Sequence, residues 1–355
     1  MIDISLTSFS RDVEIIITAF KSFNPISIIL YGGYGRNEGS WVENKDNTYS
    51  PYNDYDILLI VNKRIPKETI DTQRKIIGEL IDIRWIDIDQ KTVQNLQRSK
   101  LSIFNYDLKY GSKVIYGDTN ILSVCPDFKP NKIPLIEGEK LFFTRLWTFL
   151  GSLDQDGFKD KIRGDKSRFF RNQMAKAILA VVDVLLLQKG LYHTSYKSRV
   201  ERLSKHIPNK KDLVELANWA LEEKLYPKSP TMSDMDTRKL YNIVHEIFRI
   251  EMYALLSKYY HIKIESPNKI GFLLKWSPRN LLKRIIAFSI NNNMAWERRL
   301  AIFSAQCFIF EAWDHTKKEY LVKGIQKIKI CDPTFSVNSS WDEARIKISQ
   351  IRMTG

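Results

Sequence analysis

Ile26-Ser27-Ile28-Ile29-Leu30-Tyr31 runs straight into Gly32-Gly33-Tyr34-Gly35-Arg36-Asn37-Glu38-Gly39-Ser40, and after a polar stretch Asp54-Tyr55-Asp56 opens a second apolar run that ends at Val61. The β-branched first run reads as a buried strand, and so does the second. Because side chains alternate along a strand, Asp54 and Asp56 share one face and Tyr55 takes the other. Two carboxylates about 4 Å apart repel by roughly 4 kcal/mol at an effective dielectric near 20, so a fold that keeps them calls for a compensating cation. Mg²⁺ suits the position: it takes one or two carboxylates and completes its octahedral shell with phosphate oxygens and water. An isolated Asp-x-Asp is more often a solvated strand end, and it is the preceding loop that changes the balance.

Four glycines, Gly32, Gly33, Gly35 and Gly39, fall within eight residues directly after the first strand. Glycine lets backbone N–H groups approach an anion and cradle phosphate oxygens, and Arg36 and Ser40 are placed to act as further donors. The loop has neither the Gly-Lys-Ser/Thr ending of a P-loop nor the dinucleotide-binding glycine spacing. A third acid lies in Ile81-Asp82-Ile83-Arg84-Trp85-Ile86-Asp87-Ile88-Asp89, where Asp87 and Asp89 share a face. A carboxylate there can take the proton of an attacking hydroxyl and ligate a second metal, as two-metal phosphoryl transfer requires. Asp87 is favoured, Asp89 is the alternative, and Asp82 reads as a surface residue.

Working outward, residues 10–23 read as an amphipathic helix opened by a serine cap. A polar loop is expected from Trp41 to Tyr52, a helix over Lys67–Leu80, a strand over 81–89 and a helix over 92–109. Pro126, Pro130 and Pro134 cluster in a stretch that reads as an interdomain linker. Beyond it helical patterns dominate, over 139–153, 166–189, 212–224 and 236–260, followed by 278–289 and 294–313 in a weakly patterned last third. The expected organisation is a domain over 1–125, an α-helical domain over 126–265 and a mainly helical extension over 266–355.

A chain of 355 residues with 44% hydrophobic content can bury more than one core. The first 21 residues lack the basic start and apolar centre of a secretion signal. The apolar stretch of residues 178–187 is short and holds Asp183, so no membrane partner is expected and the expected location is cytoplasmic. Cys125, Cys307 and Cys331 are far apart, which points to packed, reduced thiols rather than to a disulfide framework or a structural zinc site. The five histidines have no ligand spacing, and the basic run from Lys197 to Lys211 reads as a solvated helix face. A net charge of +14 suits a polyanionic partner such as a nucleotide or RNA, and equally a source whose proteins are rich in lysine, isoleucine and asparagine.

Strand, Gly-Gly-x-Gly-Arg, loop, Asp-x-Asp strand and a following acidic strand together resemble the polymerase-β-type nucleotidyltransferase superfamily, and among its members the stand-alone bacterial enzymes that include the aminoglycoside nucleotidyltransferases. The resemblance covers roughly residues 10–125. It implies an α+β fold in which a nucleotidyltransferase-type mixed β-sheet with flanking helices is followed by a mainly α-helical domain. It implies that Gly32 and Gly33 contact the β and γ phosphates of a nucleoside triphosphate, that Asp54 and Asp56 hold Mg²⁺ (or Mn²⁺), and that Asp87 completes the set. Ile115-Tyr116-Gly117 is similar to the segment that closes many such domains. The stretch 171–197 is similar to the helical element that supplies triphosphate-binding lysines, with Lys197 first and Lys176 second, and Tyr196 beside them for the base or phosphate.

The activity so implied is transfer of a nucleoside monophosphate to a hydroxyl acceptor with release of pyrophosphate. The acceptor is a small molecule, a glycan precursor, a protein or an RNA end, and the nucleotide base is open. Two departures stand out: Gly33 occupies the usual serine position, and the loop before Asp54 is long. A rival reading is a catalytically degenerate member of the same fold, acting as a regulator, antitoxin or RNA-binding module.

Overall fold

The computed structural model describes residues 7–83, 85–154, 157–276, 293–314 and 316–354. By its internal contacts the chain divides into two compact units, Met1–Glu137 with Leu185–Lys228, and Gly138–Val184 with Ser229–Gly355. The architecture is α+β, with a small mixed sheet in the first unit and helices as the named elements of the second.

The first unit is built on β1 (Ser27–Tyr31), β4 (Asp54–Ile60), β5 (Trp85–Lys91) and β6 (Lys113–Gly117), in the spatial order β5-β4-β1-β6. β1 runs antiparallel to both β4 and β6, whereas β4 and β5 are parallel. That parallel pair needs a crossover, which α3 (Lys67–Leu80) supplies. β4 reads Asp-Tyr-Asp-Ile-Leu-Leu-Ile, apolar on both faces beyond its first turn of sequence, as a central strand covered on both sides must be. One face carries Ile28, Leu30, Tyr55, Ile57, Leu59, Ile86 and Ile88 and packs on α1 (Phe9–Lys21) through Ile16 and Phe20, and on α3 through Ile70 and Ile77. The other carries Ile29, Leu58 and Ile60, covered by Leu96, Tyr106, Leu108, Leu187 and Tyr192.

Several local expectations give way to different structures. Ser10 does not cap the first helix but lies inside it, since α1 starts at Phe9 and its flanking Ser8 makes no side-chain cap bond. The strand expected over 81–89 is Trp85–Lys91. Residues 41–52 are not an irregular loop. Ser40–Glu43 and Tyr49–Tyr52 pair as an antiparallel hairpin, β2 and β3, with Trp41 opposite Pro51 and a left-handed Asn47 (φ 61°) in its turn. Trp41 is drawn into an aromatic cluster with Tyr34 (centroids 5.3 Å apart), which in turn meets Tyr55 at 4.8 Å. The helix expected over 92–109 is two helices, α4 (Val93–Gln97) and α5 (Ile103–Tyr110), because each has its own cap: Thr92 accepts from Asn95 N–H and Ser102 from Asn105 N–H.

In the second unit α6 (Ile136–Leu150), the greater part of α7 (Gly164–Gln188), α10 (Asp234–Tyr260), α11 (Pro267–Trp276), α12 (Asn293–Glu311), α13 (Lys318–Cys331) and α14 (Trp341–Thr354) enclose an aromatic core that includes Phe149, Tyr241, Phe248 and Phe310. Trp341 is a packing residue, 1% exposed, donating its indole N–H to the Ile309 carbonyl at 2.7 Å. Buried Arg345 donates to the carbonyls of Leu150, Leu153 (2.7 Å) and Asp154, closing the C-terminal end of α6. The helix expected over 278–289 lies outside the described residues. All three cysteines are free thiols, with Cys125 and Cys307 buried. Among the described residues no helix is long and apolar enough to cross a membrane.

Candidate active site

The register of the sheet brings the acids together. Asp54 and Asp56 alternate with buried Tyr55, whose hydroxyl donates to Asp12 on α1 at 2.8 Å and anchors the strand from its other face. Across the parallel pair, Asp56 stands beside Asp87 and Asp54 beside Trp85; across the antiparallel pair, Asp56 stands beside Tyr31. Neighbouring strands are about 4.8 Å apart, so these side chains form one patch. Asp89 falls beside Leu58 instead, and its carboxylate accepts the Gln90 N–H at 2.8 Å. Asn53 introduces the strand with φ 80°; asparagine tolerates this left-handed conformation better than most residues. Its carbonyl accepts Trp85 N–H at 3.2 Å and its amide donates to Ser40 Oγ at 3.2 Å.

Gly32 begins α2 (Gly32–Gly35), a single helical turn that starts where β1 stops. Its φ is 65°, and a Cβ at this position would sit 1.8 Å from Asp56 Oδ2, so the bare backbone lies against the carboxylate. At Gly33 a Cβ would lie 3.0 Å from the Glu38 carbonyl, because the loop closes with Glu38 N–H donating to the Gly33 carbonyl at 2.8 Å. A side chain at Gly33 would press on the Glu38 carbonyl. Gly35 and Gly39 are held by packing, against the Leu30 carbonyl and the Tyr34 ring.

Electrostatics follow from this crowding. Asp56 is pushed up to about 7, first by burial and then by Asp54 and Asp87, with Arg36 and Lys224 pulling the other way. Asp87 is raised as well, by burial and then by Asp54. The Tyr31 phenol is held protonated by burial and by the surrounding acids, Asp56 foremost. Among the described residues no three His, Cys, Asp or Glu side chains converge tightly enough to hold an ion by themselves. Asp54, Asp56 and Asp87 offer carboxylate oxygens, the donor chemistry of a hard cation that takes one or two carboxylates and fills its other positions with phosphate and water.

Of the remaining residues singled out from sequence, Arg36, Ser40 and Tyr196 pack with Lys224 into a wall behind this patch. Arg36 is 8% exposed in its side chain and lies 3.3 Å from Asp107 and 3.8 Å from Glu38, with its guanidinium 4.9 Å from the Tyr196 ring. Ser40 Oγ is buried, donating to the Lys224 carbonyl at 2.6 Å and accepting from Lys224 Nζ at 2.7 Å. Tyr196 and Lys197 open α8 (Tyr196–His206), and their backbone N–H groups donate to Glu38 at 2.8 and 3.0 Å, beside Ser195 Oγ at 2.8 Å. The Tyr196 ring is covered by Arg199 at 4.2 Å, while the Lys197 side chain is exposed. Lys176 lies on the part of α7 that belongs to the second unit.

Two residues of this wall escaped the sequence reading. Glu38, the one acid of the glycine loop, is the carboxylate that satisfies the N-terminus of α8. Lys224 extends the buried stripe Leu213, Ala217, Ala220 of α9 (Lys211–Leu225), and a lysine in register with an apolar stripe is the signal that would have exposed it. No family model, no curated protein and no solved structure matches this chain.

Proposed function

We propose that the first unit is a polymerase-β-type nucleotidyltransferase domain, which moves a nucleoside monophosphate from a nucleoside triphosphate to a hydroxyl acceptor. The observation that carries this reading is the side-by-side register of Asp56 and Asp87, with Asp54 on the same face and Gly32 against the Asp56 carboxylate. Asp54 and Asp56 would hold Mg²⁺, with Asp87 beside them. When bound, the ion supplies charge neutralisation of the triphosphate and polarisation of the α-phosphate. Asp87, its carboxyl pushed up by burial and by Asp54, takes the proton of the acceptor hydroxyl. The acceptor oxygen then bonds to the α-phosphorus, the bond from that phosphorus to the bridging oxygen breaks, and pyrophosphate leaves with the electron pair. The backbone N–H groups of Gly32 and Gly33 would hold the leaving phosphates. Arg36, Ser40, Glu38 and Lys224 act behind them, fixing the loop and lending positive charge to Asp56.

The reading is tested by the melting temperature in the presence of ATP, GTP, CTP or UTP. At least one nucleotide raises it in the presence of Mg²⁺ and not in EDTA, and Asp54→Asn abolishes the rise. A nucleotide shift that ignores both Mg²⁺ and Asp54 would remove the proposal. One observation favours the rival, a non-catalytic binding module: Arg36 and Ser40 are both engaged by protein groups. Mg²⁺-dependent release of pyrophosphate from the labelled triphosphate by wild type, lost in Asp87→Asn, rules that rival out.

A further inference from the structure

Trp85 is an exposed aromatic residue on the acid-bearing face of the sheet. It is 56% exposed at the start of the edge strand β5, side by side with Asp54 and two residues before Asp87 on the same face. Two strand residues span about 6.6 Å, the length of one sugar ring and its hydroxyl. The surroundings select among ring-bearing ligands. Asp87 and Asp89 are exposed carboxylates on the same strand face, and they repel an anionic acceptor. Arg74 already lies over the indole at 5.4 Å, fixed by Asp71 and by a 3.0 Å hydrogen bond to the Ile86 carbonyl, so a cationic ligand would meet a guanidinium there. A neutral polyhydroxylated ring meets neither penalty: its C–H face stacks on the indole and its hydroxyls donate to carboxylates.

We propose that Trp85 seats the acceptor and that the acceptor is a neutral sugar, with the ring on the indole and one hydroxyl directed to Asp87. The proposal rests on the nucleotidyltransferase reading above and names its acceptor class. In that step the sugar hydroxyl gives its proton to Asp87, its oxygen bonds to the α-phosphorus, and pyrophosphate departs, leaving a sugar nucleoside-monophosphate diester.

Saturation-transfer NMR with a panel of neutral methyl pyranosides reads the seat without turnover. In wild type at least one pyranoside receives saturation at its ring C–H protons. Trp85→Ala weakens that binding about tenfold, a loss of roughly 1.4 kcal/mol, and Trp85→Phe restores part of it. The proposal falls if no pyranoside is contacted by wild type, or if Trp85→Ala binds as wild type does. Melting curves with Mg²⁺ and nucleotide on the same proteins separate the two levels. A Mg²⁺-dependent nucleotide shift without sugar contact overturns the sugar seat alone, whereas sugar contact without any nucleotide shift overturns the transferase reading and the acceptor role with it.

Discussion

Asp56 carries the most consequence of any single residue. A carboxyl raised to about 7 from 3.8 keeps, in the folded protein, a proton that the unfolded chain has already released between those values. The metal-free protein therefore has this contribution at low pH and loses it as pH rises toward 7, by on the order of 4 kcal/mol. Asp56→Asn is expected to flatten the fall in melting temperature between pH 5 and 8, and to leave the variant more stable than wild type at pH 8 in EDTA. Mg²⁺ is expected to raise the wild-type melting temperature at pH 8 and to leave the variant unmoved. Gly32→Ala tests the contact from the other side. A methyl group placed 1.8 Å from Asp56 Oδ2 on a backbone with φ 65° has to push the turn off the carboxylate. The expected loss is about 3 kcal/mol in urea unfolding, together with loss of any Mg²⁺-dependent nucleotide shift.

At the scale of elements, the glycine loop is tied to α8 through one side chain. Glu38 accepts from the N–H groups of Tyr196 and Lys197 and from Ser195 Oγ, so its charge complements the positive end of the helix. Glu38→Gln keeps the shape and removes the charge. It is expected to cost about 1 kcal/mol and to speed hydrogen exchange at the Tyr196 and Lys197 amides, while amides in the middle of β4 keep their protection. Unchanged exchange at the start of α8 would show that the helix does not depend on this acid. Element phase was readable from sequence where it depends on neighbours in the chain: the alternation in Asp54-Tyr55-Asp56 and the amphipathic period of α1 are local. The hairpin of β2 and β3 was not, because its polar residues become a strand pair only once Trp41 finds Tyr34 and Phe9.

For the whole molecule, each unit has its own core and its own buried charge. In the second unit Arg345 is fully buried, its guanidinium shared between Asp342 at 2.8 Å and the carbonyls beyond α6. Arg345→Met leaves those carbonyls unsatisfied and Asp342 without its partner, at an expected cost of about 3 kcal/mol, seen as a lower calorimetric transition; an unshifted transition would mean that water replaces the guanidinium at no cost. In the first unit the return of Leu185–Lys228 to the sheet domain brings Lys224 to Ser40, 184 residues away in sequence.

That return marks the boundary between the two kinds of information. Strand alternation and glycine spacing determined two apolar strands, two acids on one face of the second and a glycine turn after the first, because each of these depends on residues within a few positions of one another. The parallel register that sets Asp87 beside Asp56 and leaves Asp89 beside Leu58 was decided only by tertiary structure, as were the engagement of Arg36 by Asp107, the capture of α8 by Glu38 and the exposure of Trp85. Those depend on which strands pair and which helices cover them, and pairing across long sequence separation is chosen by the packing of the whole core rather than by any local pattern.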